Sequence, residues 1–288
     1  MNLPFEIHEA AGQIKNKIAI FSYCSYPIYE TYNRFAGSLY DTGFNGPVHF
    51  FAEEKYRDTL LKIEKKYDKV SYQKTSLKPY VRRYEVYLKF LEENKIEADY
   101  IFLTDGVDVL FQKNMEEYPL PKGYDLFLFN EDKKVGKSNP ARRNYRRLHG
   151  PFCAPDFFNK TKDKTIICAG TVLGTTKGIK KYLELYCLHL DKLPPRHQFL
   201  RRTGEQSVLN YMYHYSNVIN ENINTKLLTN KDNLVNTLGN GHKEVVKDKI
   251  VNEEGEVSYI VHQYNCLSAE QKSKISNKYD FTFKHERV

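Results

Sequence analysis

The chain has 288 residues, enough for one large domain with a sizeable core or for two small ones. Hydrophobic residues make up 41% and aromatic residues 14%, and no apolar run approaches the roughly 18 residues that cross a bilayer, so no transmembrane anchor is expected. Lys and Arg number 44 against 36 Asp and Glu, and the net charge of +8 favours anionic partners without choosing among nucleic acid, a nucleotide, a phosphorylated lipid and an acidic glycan.

Lys17 to Tyr23 runs apolar and closes in small and polar residues, the pattern of a buried parallel strand feeding a loop. Tyr29 to Asp41 has helical spacing and stops at Thr42-Gly43. A second strand is expected over Pro47 to Ala52, a charged amphipathic helix over Glu54 to Tyr67 and a short strand over Val70 to Tyr72. Tyr80 to Asn94 sets Tyr84, Tyr87, Leu88 and Leu91 on one helical face. Tyr100 to Thr104 and Asp125 to Phe129 read as strands, and Thr165 to Leu173 as a strand interrupted by Gly170. Ile179 to Leu193 and Glu205 to Tyr215 read as helices, Val218-Ile219 and Lys226 to Leu228 as short strands. Glu244 to Val251 and Val257 to His262 flank a Glu253-Glu254-Gly255 turn and predict a hairpin.

Strands alternating with helices at this spacing predict one α/β domain over 1–288, with a C-terminal tail from about 268. Its sheet is expected to be open and mostly parallel, with helices on both faces. Ligands of such sheets sit beyond the carboxyl ends of the strands, where Tyr23 and Asp105 would lie. The N-terminus shows no basic stretch followed by an apolar one, so a cytoplasmic protein is expected. Cys24, Cys153, Cys168, Cys187 and Cys266 are odd in number, widely spaced and free of CxxC pairs, which predicts reduced thiols rather than a disulfide framework or a zinc site.

The strand over Tyr100 to Thr104 runs into Asp105-Gly106-Val107-Asp108. In an extended strand the two aspartates would face opposite ways, but a turn at the glycine brings both carboxylates to one side. Two hard oxygen donors at a strand end suit Mg²⁺ or Mn²⁺ holding a diphosphate, while a solvated Asp-Gly turn fits the same spacing. Near the C-terminus His262 ends another apolar strand, and an imidazole completes a mixed oxygen and nitrogen ligand set. It fits a hydrogen-bonded surface histidine equally well.

Five segments in order, TDGVDVLFQ (104–112), FLFNED (127–132), CAGTVLGT (168–175), GEQSVLN (204–210) and VHQYN (261–265), resemble motifs of the GT-A (Rossmann-like) nucleotide-sugar glycosyltransferases. The likeness is greatest to the glycosyltransferase domain of the collagen lysyl hydroxylases and related viral and bacterial sequences. It implies a mixed, mostly parallel GT-A sheet and a glycosyltransferase of glycan biosynthesis. The expected ligands are Mn²⁺ or Mg²⁺ held by Asp105, Asp108 and His262, a UDP-sugar donor, and a glycan or glycoprotein acceptor. By the same resemblance Tyr23 meets the nucleotide, Arg83 reaches a phosphate, and Gly170 and Gln206 lie at the donor.

Two departures stand out. The aspartates are spaced D-x-x-D rather than D-x-D, and Gly204-Glu205-Gln206 replaces Asp-Asp-Gln. Glu205 is therefore a candidate base or a ligand of sugar hydroxyls, with a plain acid at a helix N-terminus as the alternative. Glu131 and Asp132 rank behind it. Arg83 fits a solvated helix face as well as a phosphate contact. The basic run of Lys133, Lys134, Lys137, Arg142, Arg143, Arg146, Arg147 and His149 suggests an anionic acceptor or a lid, and a solvated loop fits it too. The competing functions are a nucleic-acid or polyanion-binding module and a metal-dependent phosphohydrolase. No nucleic-acid motif accompanies the basic run, so nucleic acid is not the expected partner.

Overall fold

Ile18, Ile20 and Cys24 pack with one apolar cluster and Ala19, Phe21 and Tyr23 with another, so the first strand is buried on both sides. That double burial makes it the spine of a parallel sheet. The protein is described by a computed structural model over residues 15–76, 82–139, 141, 154–192 and 204–275. Its elements are β1 (Ile18–Cys24), α1 (Tyr29–Asp41), β2 (Val48–Ala52), α2 (Arg57–Lys66), β3 (Val70–Lys74), α3 (Arg83–Glu93), β4 (Tyr100–Asp105), β5 (Val109–Phe111), β6 (Leu126–Lys134), α4 (Phe157–Thr161), β7 (Thr165–Thr175) and α5 (Thr176–Asp191). They continue with α6 (Gly204–Asn210), α7 (Val218–Asn222), β8 (Thr225–Leu228), β9 (Val235–Thr237), β10 (Glu244–Val246), β11 (Lys249–Val251), β12 (Ile260–His262) and α8 (Ala269–Lys274).

Seven strands form the main sheet in the order β3-β2-β1-β4-β7-β6-β8. Every pairing is parallel except those of β7 with β4 and β6. The expected mixed, mostly parallel sheet is present. On one face Tyr32, Phe35 and Leu39 of α1 join Leu60 and Ile63 of α2; on the other Tyr84 and Tyr87 of α3 join Tyr182, Leu183 and Tyr186 of α5. A second sheet, β5-β12-β9, sits on the first. Among the described residues no helix is long and apolar enough to cross a membrane.

Two local expectations fail for identifiable reasons. Val218-Ile219 belongs to a helix, not a strand: two β-branched residues are too few to establish a period, and Asn217 at φ 57° turns the chain into α7. The hairpin closes at Lys247-Asp248, both at positive φ (45° and 66°), so β10 pairs with β11. A turn of that backbone type usually carries Asn or Gly, and its absence concealed it. The Gly255 turn contributes only a single bridge, Val251 to Val257, and β12 leaves to pair elsewhere.

Candidate metal and donor site

Tyr23 and Asp105 end neighbouring strands in parallel register. The chain then passes so close to β1 that a Cβ on Gly106 would lie 2.7 Å from Ser22 Oγ. Glycine lets the loop stay at the sheet end and carry Asp108 there. The Asp108 carbonyl accepts from Gln263 N–H at 2.8 Å, and the next residue, Val109, pairs with His262 across β5 and β12. A histidine far along the sequence is thereby laid beside the two aspartates. Behind it buried amides brace the second sheet: Thr237 N–H donates to Asn230 Oδ1 at 2.9 Å and Asn236 Nδ2 to the Val251 carbonyl at 3.2 Å.

Asp105, Asp108 and His262 each offer one ligand atom, all within 4.8 Å of one another. His262 Nε2 is 3.4 Å from Asp105 Oδ2 and 3.7 Å from Asp108 Oδ1. Among the described residues Asp108 Oδ1 has no hydrogen-bond donor, and Nε2 meets the two carboxylates only at these longer ion-pair distances, an arrangement that costs on the order of 1–3 kcal/mol per group if nothing compensates it. Two carboxylates and an imidazole converging in this way fit a Mn²⁺ or Mg²⁺ ion. Asp105 keeps 27% of its side chain exposed, which leaves the cluster reachable.

The local charges fit the same picture. Burial alone would raise the Asp105 carboxyl, but Arg83 and His262 hold it well below the usual carboxylate range. Burial, with the Asp105 charge added, pushes Asp108 up to about 6 against the pull of His262. Burial would lower His262, yet Cys168, Asp105 and Asp108 outweigh it and raise the imidazole well above its ordinary value. A divalent cation bound between the three groups would compete with protons for the same atoms.

Gly170 lies against these ligands. A Cβ there would fall 2.5 Å from His262 Cε1 and 2.6 Å from Asp105 Oδ2. The register between β6 and β7 also slips from Leu128–Val172 to Phe129–Cys168, so the glycine sits in a bulge as well. Cys168 Sγ lies 3.4 Å from His262 Nδ1 and turns Nε2 toward the aspartates. We expect Cys168→Ala to weaken Mn²⁺ binding about tenfold while Cys168→Ser retains it. A Mn²⁺ titration followed by electron paramagnetic resonance measures both, and equal affinity of the Ala variant would remove this role.

Arg83 is 3% exposed and lies inside the site rather than on a solvated helix face. It ion-pairs with Asp105 Oδ1, donates to the Ala169 carbonyl at 2.9 Å and holds Nε 3.2 Å from Glu205 Oε2. Burial pushes the Glu205 carboxyl up to about 7, with Arg83 opposing and Asp105 adding to the shift. Asn210 fixes the helix that carries Glu205 by accepting from Ile167 N–H at 2.9 Å and donating to the Ile167 carbonyl at 2.8 Å.

Gln206 accepts from Ala169 N–H at 3.5 Å and hydrogen-bonds Glu131. Glu131 is buried within β6, at the start of its register slip, where it also meets Cys168 and accepts from Asn240 Nδ2 at 3.2 Å. Burial raises its carboxyl and His262 opposes the rise. Tyr23 is 4% exposed and packed into the core beside Asp105, and burial drives its phenol up to about 12. Cys168, Asn210 and Asn240 escape a reading by motif. The cysteine lies inside CAGTVLGT and Asn210 closes GEQSVLN, so both were open to discovery, whereas Asn240 lies in none of the five motifs. Of the basic run, Lys133, Lys134 and Lys137 are described, and Arg142, Arg143, Arg146, Arg147 and His149 lie outside the described residues, as does Cys153.

No family model matches the sequence, and no curated protein does. Among solved structures, the chain is similar to mouse xyloside xylosyltransferase 1 in its apo form, at a TM-score of 0.53 and 13% identity over 87% of this chain and 98% of that one. It is also similar to the glycosyltransferase GlyE of Streptococcus pneumoniae TIGR4, at a TM-score of 0.46 and 14% identity over 74% of this chain and 45% of that one. The first likeness shows the fold, a mixed and mostly parallel sheet flanked by helices as in a glycosyltransferase.

Proposed function

We propose that the chain is a metal-dependent glycosyltransferase that moves a hexose or pentose from a UDP-sugar to a hydroxyl of a glycan or protein-linked acceptor. The observation that carries this reading is the Asp105, Asp108 and His262 set, whose ligand atoms converge within 4.8 Å of one another where β4 ends at the carboxyl edge of the parallel strands. Ligands of open α/β sheets bind there. The glycosyltransferase fold and the motif likeness to the lysyl hydroxylase glycosyltransferase domain support the same class.

In this reading Asp105, Asp108 and His262 hold Mn²⁺ or Mg²⁺, which when bound offsets charge on the departing diphosphate. Arg83 keeps Asp105 ionised and fixes one of its oxygens, leaving the other turned toward His262. Tyr23 borders the nucleotide, and Gly170 and Gln206 line the donor sugar. Glu205, poised near neutral pH, takes the proton of the acceptor hydroxyl as the new glycosidic bond forms. An anionic acceptor rests on the basic run alone.

The test is release of UDP from UDP-glucose, UDP-galactose and UDP-xylose with Mn²⁺. We expect release from one of them to require the cation and to accelerate with an acceptor sugar. Cleavage of plain phosphodiesters without use of any UDP-sugar would replace this reading with a phosphohydrolase.

A further inference from the structure

A groove of about 460 Å³ opens beside the site, walled by Asn130, Asp132, Thr165, Asn240, His242 and Glu253. It shares a partition with the metal cluster. Asn240 donates through Nδ2 to the buried Glu131 at 3.2 Å, and its Oδ1 accepts from Lys133 Nζ in the groove at 2.9 Å. Beyond Glu131 lie Cys168 and His262.

The chain accepts backbone strain to build this wall. Asp132 stands at φ 49°, outside the region a side chain favours, within the register slip between Asn130 and Lys134. Asn130 Oδ1 accepts its N–H at 3.2 Å and holds the kink. Consecutive residues are thereby divided, Glu131 toward the cluster and Asp132 into the groove. Such bulges and positive-φ residues persist where a side chain must be aimed.

The lining specifies the ligand's chemistry. Two carboxylates, Asp132 and Glu253, and two ammonium groups, Lys133 and Lys134, line it with two amides, a hydroxyl, an imidazole and Gly241; Glu253 is also ion-paired with Lys231 at 3.0 Å, and His242 Nε2 lies 3.0 Å from Glu244 Oε2. Among the described residues the lining carboxylates and ammonium groups are equal in number, donors and acceptors are mixed, and no Phe or Tyr lines the walls. Equal numbers of carboxylates and ammonium groups in the lining do not favour a polyanion, and an apolar ligand would displace water from these polar walls without replacing its hydrogen bonds. Sugar hydroxyls, which both donate and accept, replace them.

We propose that this groove is the acceptor site and takes a neutral, hydroxyl-rich saccharide, whose reacting hydroxyl approaches the cluster past Asn240 and Glu131. The assignment to an acceptor rests on the glycosyltransferase reading; the saccharide chemistry rests on the lining alone.

Saturation-transfer NMR with methyl β-glucopyranoside, methyl β-galactopyranoside and methyl β-xylopyranoside, against N-acetylneuraminate as the charged comparison, tests it on the full chain. At least one neutral glycoside should bind better than N-acetylneuraminate, and the double variant Asp132→Asn, Glu253→Gln should lose about tenfold in its affinity, as expected for two charge-assisted hydrogen bonds. The thermal shift with UDP and Mn²⁺ should be the same in both proteins. Should the double variant fail to fold, Thr165→Val makes the same comparison with a smaller loss. No binding of the neutral glycosides, stronger binding of N-acetylneuraminate, or unchanged affinity in the variants would overturn the groove. Glycoside binding that the variants abolish, in a protein that UDP and Mn²⁺ do not stabilise, would keep the saccharide site and overturn the glycosyltransferase reading instead.

Discussion

On the proposed function, replacing Asp108 with Asn should abolish Mn²⁺ binding and lower sugar transfer by on the order of 10²–10⁴-fold, the loss expected when an electrophile worth several kcal/mol is removed. The fold should survive, because the Asp108 carbonyl, not its carboxylate, accepts from Gln263, and a carboxamide matches the carboxylate in size. Gly170→Ala should mimic this loss from the other side. Its new methyl would occupy space now taken by His262 Cε1 and Asp105 Oδ2. Electron paramagnetic resonance of Mn²⁺ and transfer rates measured on the same preparations make the comparison. Normal cation affinity in both variants would dissolve the proposed metal site.

The second large effect belongs to Glu205. Its carboxyl is pushed up to about 7 by burial, so a base at this position is ionised above that pH and protonated below it. Transfer should therefore fall as pH drops from about 8 to 6 at saturating Mn²⁺. The saturating cation matters, because Asp108 also titrates in its absence. Glu205→Gln should reduce kcat by about 10²–10⁴-fold, the usual contribution of a positioned base, and flatten this limb of the profile. A variant with the wild-type rate and the wild-type pH dependence would return Glu205 to the part of a structural partner for Arg83.

The elements on which these expectations stand were legible in the sequence to different degrees. α1 was readable to its last residue, because Tyr32, Phe35 and Leu39 repeat at helical spacing and Thr42-Gly43 stops them. β1 and β4 were readable because burial on both faces leaves an unbroken apolar run. The carboxylates of Asp105 and Asp108 were visible as a break in such a run. Their meeting with His262 was expected only through the motif resemblance, since it follows from the pairing of Val109 with His262, a contact with no local signature. The depth of Arg83 was hidden for a related reason: its partners Asp105, Ala169 and Glu205 come from three separate elements. Local pattern also misjudged the Lys247-Asp248 turn, where the backbone adopts positive φ without the residues that advertise it.

The placement of His262 on β12 has a consequence for how the protein comes to be competent. Asp105 and Asp108 arrive with β4, which pairs with β1 across the intervening α1, β2, α2, β3 and α3, whereas His262 arrives only when β12 inserts between β5 and β9. Pairings of such large sequence separation pay the greatest loop-closure entropy and are correspondingly slow to form. On the proposed metal reading, cation capture would act as a latch on this late pairing, and the bound ion would in turn hold the late-arriving strand in place.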